Sequence, residues 1–190
     1  MKNIYLIRHC KAEGQEPEAS LTCEGEHQAK ELAKLLSSYS ISLVITSPYK
    51  RAVDTIRSYC DLSHIPCITD ARLQERVLSS VPMTDWMDKL RETYLDLDLA
   101  YEGGESSNEA MRRGMQVIEE LQHRPECNAA LITHGALMSL ILKAYDPAFG
   151  FEEWLNLSNP DVYQIAIEEH KTTVSRIIAH KKNQLGQGES

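Results

Sequence analysis

No stretch of the 190-residue sequence is apolar for long enough to suggest a membrane span. The most apolar segment, Ala129 to Tyr145, is interrupted by Thr133, His134, Ser139 and Lys143. A secretory leader is missing too: Lys2 to Ile7 reads as a strand running into an Arg-His pair, with no small-residue cleavage site. Both absences lead us to expect a cytoplasmic protein. Positive charge is in deficit, since 20 Lys and Arg against 28 Asp and Glu leave a net charge of −8. That disfavours a nucleic-acid surface, although a pocket can be locally positive on an acidic chain. The five cysteines (Cys10, Cys23, Cys60, Cys67 and Cys127) are odd in number and form no C-x-x-C pair, so reduced thiols are expected. Repeats, low-complexity segments and long linkers are also absent. The expectation is one domain over residues 1–180 with a frayed tail at 181–190.

What is present alternates. Asn3 to Ile7, Ser42 to Thr46, Ile65 to Ile68 and Asn128 to Thr133 read as short buried strands, with two more at Val162 to Ile167 and Thr173 to Ala179. Helices are predicted between them. Thr22 caps the first, whose apolar face is Ala29, Leu32, Ala33, Leu35 and Leu36. Pro48 marks the start of the second, which runs to about Cys60. Ser106 and Glu109 are spaced as a capping box before Met111, Met115, Ile118 and Leu121, and Ala136 to Ala144 forms another helix. Leu73 to Gly104 is the least regular part and reads as an insertion over the sheet. This order predicts an α/β fold, a three-layer sandwich with a mostly parallel central sheet flanked by helices.

In such folds ligands bind beyond the carboxyl ends of the strands. Three predicted strands end in phosphate-binding or reactive types: Arg8-His9, Thr46-Ser47 with Arg51 one helical turn later, and Thr133-His134-Gly135. Neutral imidazole is a competent nucleophile, and His9 could carry a covalent intermediate. Arginine forks at Arg8 and Arg51, with His134, could neutralise a phosphoryl group during attack. Glu75 is the best-placed acid for a departing alkoxide, with Glu105 second. Gln15, Thr22 and Lys11 become candidates for the pocket wall or mouth only through the family resemblance that follows.

The ordered set Leu6-Ile7-Arg8-His9, Ser47-Pro48-Tyr49-Lys50-Arg51-Ala52, Leu73-Gln74-Glu75, Gly103-Gly104-Glu105-Ser106 and Leu131-Ile132-Thr133-His134-Gly135 resembles the histidine phosphatase superfamily, also called phosphoglycerate-mutase-like. Leu21-Thr22 with Gly25, Gln28 and Ala29 is similar to that family's first-helix pattern. The resemblance implies that His9 carries the phosphoryl group, that Arg8, Arg51 and His134 bind it, and that Glu75 is the proton donor. It implies no metal or organic cofactor, and a small phosphorylated metabolite as partner. The chain departs from the pattern at Cys10, where the family usually has Gly. It departs again at Lys11 and Ala12, and at Gln15 in place of Asn. Arg76 to Ser80 lacks the usual glycine and tryptophan.

Rival readings are weaker. His9-Cys10 could open a cysteine-phosphatase loop, but the position that needs arginine is Glu16. A metal site from His9, Cys10, Cys23 and His27 has no recognised spacing. The longer segments typical of dedicated mutases are missing, so hydrolysis is preferred to phosphoryl return, and the intact residue set disfavours a non-catalytic binder. The substrate expectation is a small phosphate monoester, such as a sugar phosphate, a phosphoglycerate or a ribazole phosphate, with specificity in Val77 to Tyr101. Oligomeric state is left open.

Overall fold

Alternation along the first strand sets up the layers. In β1 (Lys2–Arg8) Ile4 and Leu6 join one apolar cluster and Tyr5 and Ile7 the other, and all four are buried. A strand covered on both faces belongs inside a sheet flanked by helices. The computed structural model, which describes residues 1–179, puts it there. The other strands are β2 (Leu43–Thr46), β3 (Cys67–Thr69), β4 (Asn128–Thr133), β5 (Asp161–Ile167) and β6 (Thr172–Ala179). Their order is β3-β2-β4-β1-β5-β6. The first four run parallel, while β5 is antiparallel to β1 and β6 to β5.

Helices α1 (Cys23–Leu36) and α2 (Lys50–Ser63) cover one face, burying Leu32, Leu36, Ile56 and Tyr59 against Tyr5, Ile7, Val44 and Ile132. The other face is covered by α3 (Trp86–Leu95), α4 (Ser107–Gln122), α5 (Gly135–Tyr145) and α6 (Phe151–Leu155). There Ile118, Leu137, Ile141 and Phe151 pack with Leu6 and Leu131. The expected three-layer sandwich is therefore the observed one. No helix among the described residues is long and apolar enough to cross a membrane.

Local chemistry explains the boundaries. The Thr22 hydroxyl accepts from the Gly25 amide at 2.9 Å and caps α1, and Ser106 with Glu109 closes the predicted capping box on α4. Three expectations are corrected. The helix placed at Pro48 begins at Lys50, because the Tyr49 amide is held by the Ser47 hydroxyl and Tyr49 becomes the extended cap. The strand placed at Ile65 to Ile68 is Cys67–Thr69, since Pro66 has no amide for the ladder and the Ile65 amide returns to the Cys60 carbonyl. Inside the segment read as irregular lies α3, which buries Leu90, Thr93 and Tyr94. The expected tail at 181–190, and His180, lie outside the described residues.

Candidate active site

β1 and β4 pair in register with Arg8 opposite Thr133, so the next residues, His9 and His134, leave the sheet side by side. Their ring centroids lie 5.1 Å apart, edge to face. The Ser47 amide donates to the Ile132 carbonyl at the end of β2, which brings α2 and its Arg51 to the same edge. The Arg8-His9 pair, Arg51 and His134, from three segments far apart in sequence, meet there.

The His9 tautomer follows from its partners. Nδ1 lies 2.7 Å from the Cys10 carbonyl, which can only accept, so Nδ1 carries the proton. Nε2 accepts from Arg51 Nε at 3.2 Å, so its lone pair faces the arginine. The Asn159 side chain donates to the His9 carbonyl at 2.8 Å and fixes the backbone. Burial pushes the ring pKa down to about 3, and Arg51 and Arg8 add to this against the Cys10 carbonyl. His9 is thus a buried, neutral imidazole whose Nε2 lone pair faces the cluster.

Around Nε2 the donors have spare capacity. Arg51 is 1% exposed and spends both Nη1 hydrogens on the Gln15 and Glu16 carbonyls, at 3.0 and 2.9 Å. Its Nη2 has no partner among the described residues. Asp54, its alternative partner on the helix, is taken by Lys50 and Arg57 at 2.6 and 2.8 Å. Arg8 Nη1 donates to the Leu157 carbonyl at 3.1 Å, while Nε is buried without a partner. The guanidinium lies flat against Gly135, where an added Cβ would stand 3.1 Å from three of its atoms. His134 Nε2 meets the Ser47 hydroxyl at 2.8 Å. That hydroxyl has no other acceptor among the described residues, so it donates, and the His134 proton sits on the buried, unpartnered Nδ1. Burial first, then His9 and the arginines, holds His134 neutral. Buried N–H groups without acceptors cost free energy unless a ligand takes them up.

Glu75 stands across from this cluster. Its Oε1 accepts from the Arg76 and Leu137 amides at 2.8 and 3.0 Å, its Oε2 from Ala136 alone at 3.1 Å. Oε2 is therefore the oxygen with room for a proton. A cavity of about 460 Å³ beside the cluster is lined on its polar side by Arg8, Gln15, Glu75 and Arg76.

The geometry has counterparts elsewhere. Residues 4–179 match the model of the histidine phosphatase superfamily (branch 1). The chain belongs to the histidine phosphatase superfamily. A probable phosphoglycerate mutase of Serratia proteamaculans is 28% identical over 75% of this chain and 74% of its own length. A glucosyl-3-phosphoglycerate phosphatase of Mycolicibacterium vanbaalenii is 25% identical over 76% of this chain and 74% of that protein. The native structure of a mycobacterial glucosyl-3-phosphoglycerate phosphatase shares the fold, with a TM-score of 0.74 at 20% identity, over 94% of this chain and 98% of that one.

Within this histidine phosphatase, three sequence candidates do not line the cavity. Lys11 pairs with Glu24 at 2.5 Å on the exposed side of α1, so the expected charge at the mouth is spent elsewhere. Thr22 is occupied as the α1 cap. Glu105 turns its carboxylate to Arg113, with Oε2 at 3.0 Å from Nε. Gln15 lies on the cavity wall. Cys10 is buried against the α1–α2 face and burial pushes its thiol up to about 12, the wrong direction for a nucleophile. The metal candidates also separate: His9 and Cys10 are buried, Cys23 and His27 exposed on α1. No group of three or more His, Cys, Asp and Glu that could hold a metal ion is found among the described residues.

Sequence reasoning missed two residues. Asn159, in the loop before β5, carries no motif. Arg76, directly after Glu75, is buried and lines the cavity, and its only sequence signal was standing where the family pattern is broken.

The two buried imidazoles make a stability prediction. Below pH 6.5 the unfolded chain protonates them and the fold does not, so stability falls as pH drops toward 3. His9 contributes a loss of about 2 kcal/mol between pH 7 and pH 5, and His134 acts in the same direction. His9→Gln should therefore lose about 2 kcal/mol less than wild type over that interval, read from urea midpoints. An identical pH slope would mean that the folded ring takes up protons in place.

Proposed function

We propose that the protein hydrolyses small phosphate monoesters in two steps through a phosphohistidine on His9. In the first step Nε2 attacks phosphorus and the bond to the ester oxygen breaks. Glu75 passes a proton from Oε2 to the leaving alkoxide. The arginine N–H that caps Nε2 in the free enzyme moves to a phosphoryl oxygen, joined by Arg8 Nε and Nη2, Arg51 Nη2 and His134 Nδ1. In the second step water attacks phosphorus, Glu75 takes its proton, the P–N bond breaks, and orthophosphate leaves. Positioned donors supply most of the stabilisation, because the transition state spreads charge over three equatorial oxygens.

The observation that carries this reading is the His9 ring: a buried imidazole whose lone pair is aimed by a guanidinium and whose proton is tied to a carbonyl. The names of relatives admit both hydrolysis and mutase chemistry. The missing mutase-type segments favour hydrolysis here. A small phosphorylated metabolite is then the partner, handled without a metal or an organic cofactor. A cytoplasmic location is consistent with such a substrate.

The test is orthophosphate release from a panel of phosphate esters in the presence of chelator, with phosphoglycerate isomerisation followed in parallel. Release should exceed isomerisation, and Cys10→Ala should keep activity within about threefold of wild type, as expected of a substitution away from the chemistry. Dominant isomerisation would favour the mutase reading. Collapse of the Cys10 variant with His9 intact would transfer the nucleophile to sulfur.

A further inference from the structure

The residues from Cys60 to Cys67 carry the chain from the last turn of α2 back to the edge strand β3. His64 makes the reversal in the left-handed region, at φ 55°, and its amide and that of Ile65 both donate to the Cys60 carbonyl. At the other end Cys67 is paired with Val44 in the ladder between β2 and β3. With both backbone positions fixed, the two thiols meet as hydrogen-bond partners, each of them reduced. The sequence conceals this pair, because its spacing matches no C-x-x-C motif.

The two sulfurs are not equivalent. Cys67 is exposed and Cys60 is buried. The Cys60 S–H donates to Cys67, which holds the Cys67 thiol below the ordinary cysteine range, and Arg57 adds to this against burial. The same hydrogen bond, followed by burial and Asp61, pushes the Cys60 thiol up. Arg57 also pairs with Asp54 at 2.8 Å, so its charge is shared. Both cysteines line an open hollow of about 680 Å³ with Arg57, Asp61 and His64, through which a small oxidant reaches the exposed sulfur. An accessible thiolate beside a sheltered second thiol is the arrangement of redox-sensing cysteines.

We propose that Cys67 and Cys60 form a peroxide-responsive pair, in which Cys67 is oxidised first and Cys60 closes a reversible disulfide between α2 and β3. In the first step the Cys67 thiolate attacks one oxygen of hydrogen peroxide. The O–O bond breaks and hydroxide leaves, so that Cys67 becomes a sulfenic acid. Cys60 then attacks the Cys67 sulfur, the S–O bond breaks, and the hydroxyl departs with the Cys60 proton as water. Overall the thiols are oxidised to a disulfide and the peroxide is reduced to water. A dithiol reductant reverses the bond by exchange. The inference is independent of the phosphohistidine reading, since it uses no residue of that site.

The test treats the full reduced chain with hydrogen peroxide in the presence of chelator, followed by alkylation and tryptic digestion. Both cysteines lie between Arg57 and Arg72, so one tryptic peptide, Ser58 to Arg72, carries the pair. After treatment that peptide should resist alkylation and be lighter by two hydrogens than the dithiol, and dithiothreitol should restore both alkylation sites. Cys67 should lose its free thiol at least about tenfold faster than the exposed Cys127, whose thiol donates to the Pro125 carbonyl. In urea the advantage should vanish, because the fold is what brings Cys60 and Arg57 to that sulfur. Cys60→Ser should stop the reaction after the first step, leaving a sulfenic acid on Cys67 that dimedone labels. Cys67→Ser should leave Cys60 free at the same exposure. If either variant does not fold by circular dichroism, the wild-type peptide map and its urea control decide alone. Equal rates at Cys67 and Cys127 overturn the pair, as does an advantage that survives urea. So does a Cys67 that bonds to a cysteine of another molecule, or that passes to sulfinic acid while Cys60 stays free.

Discussion

His9→Ala is expected to lower kcat for phosphate-ester hydrolysis by at least about 10⁴-fold, the scale on which loss of a nucleophile is felt when no other group can take its place. No other side chain can do so here. Cys10 is turned into the core with its thiol proton held by burial, and His134 uses Nε2 on Ser47 and keeps its proton on Nδ1. Water attacking directly would still find Arg8, Arg51 and His134 in place, so a residual rate above solution hydrolysis should remain. The covalent step has its own signature. Rapid quench of wild type with a ³²P-labelled ester should trap label on protein that is stable in alkali and released by acid, as a P–N bond requires, and His9→Ala should trap none. Label on His134 would be identified by peptide mapping, and an adduct hydrolysed too fast to trap in wild type should be trapped in Glu75→Gln with an aryl phosphate, whose leaving group needs no proton in the first step while the second step still slows. Equal turnover in His9→Ala and wild type would end the covalent reading.

The sequence revealed those parts of the site that sit at strand ends. Arg8-His9, Ser47 with Arg51, and Thr133-His134 each follow a short apolar run, and a parallel sheet must bring such ends to one edge. Their convergence could therefore be expected before their contacts were known. What depended on side-chain direction could not. Lys11, Thr22 and Glu105 turn to Glu24, Gly25 and Arg113, and nothing in their spacing tells which way a side chain will turn. The helix α3 was hidden because Pro82 and an Asp/Leu alternation surround it, although Trp86, Met87, Leu90, Thr93 and Tyr94 carry helical spacing within that stretch. Arg76 was hidden for a different reason. It is buried on the cavity wall beside Glu75, and burial of a charged side chain is decided by tertiary structure.

Arg51 gives the second large effect and the cleaner division between charge and geometry. Its one guanidinium donates to His9 Nε2 and to the Gln15 and Glu16 carbonyls, and Nη2 is left without a partner among the described residues. Arg51→Gln removes the charge and the fork together and should lower kcat by about 10²–10³-fold, the usual loss for a donor aimed at developing charge in a closed site. The pH profile should move as well. Among the influences that lower the His9 pKa, Arg51 is the largest from a charged neighbour, behind burial. Without that cation the protonated ring is less disfavoured, so the acid limb of kcat/KM, which reports the free enzyme, should shift to higher pH. Arg51→Lys keeps a positive charge but has one nitrogen centre, which cannot reach two loop carbonyls and the phosphoryl group at once. It should lose most of kcat while its acid limb stays near that of wild type. If both variants shift the limb equally, the field at His9 does not come from this cation. If Arg51→Lys retains full kcat, the fork is unnecessary, and a point charge at the end of α2 is all that the phosphoryl group requires.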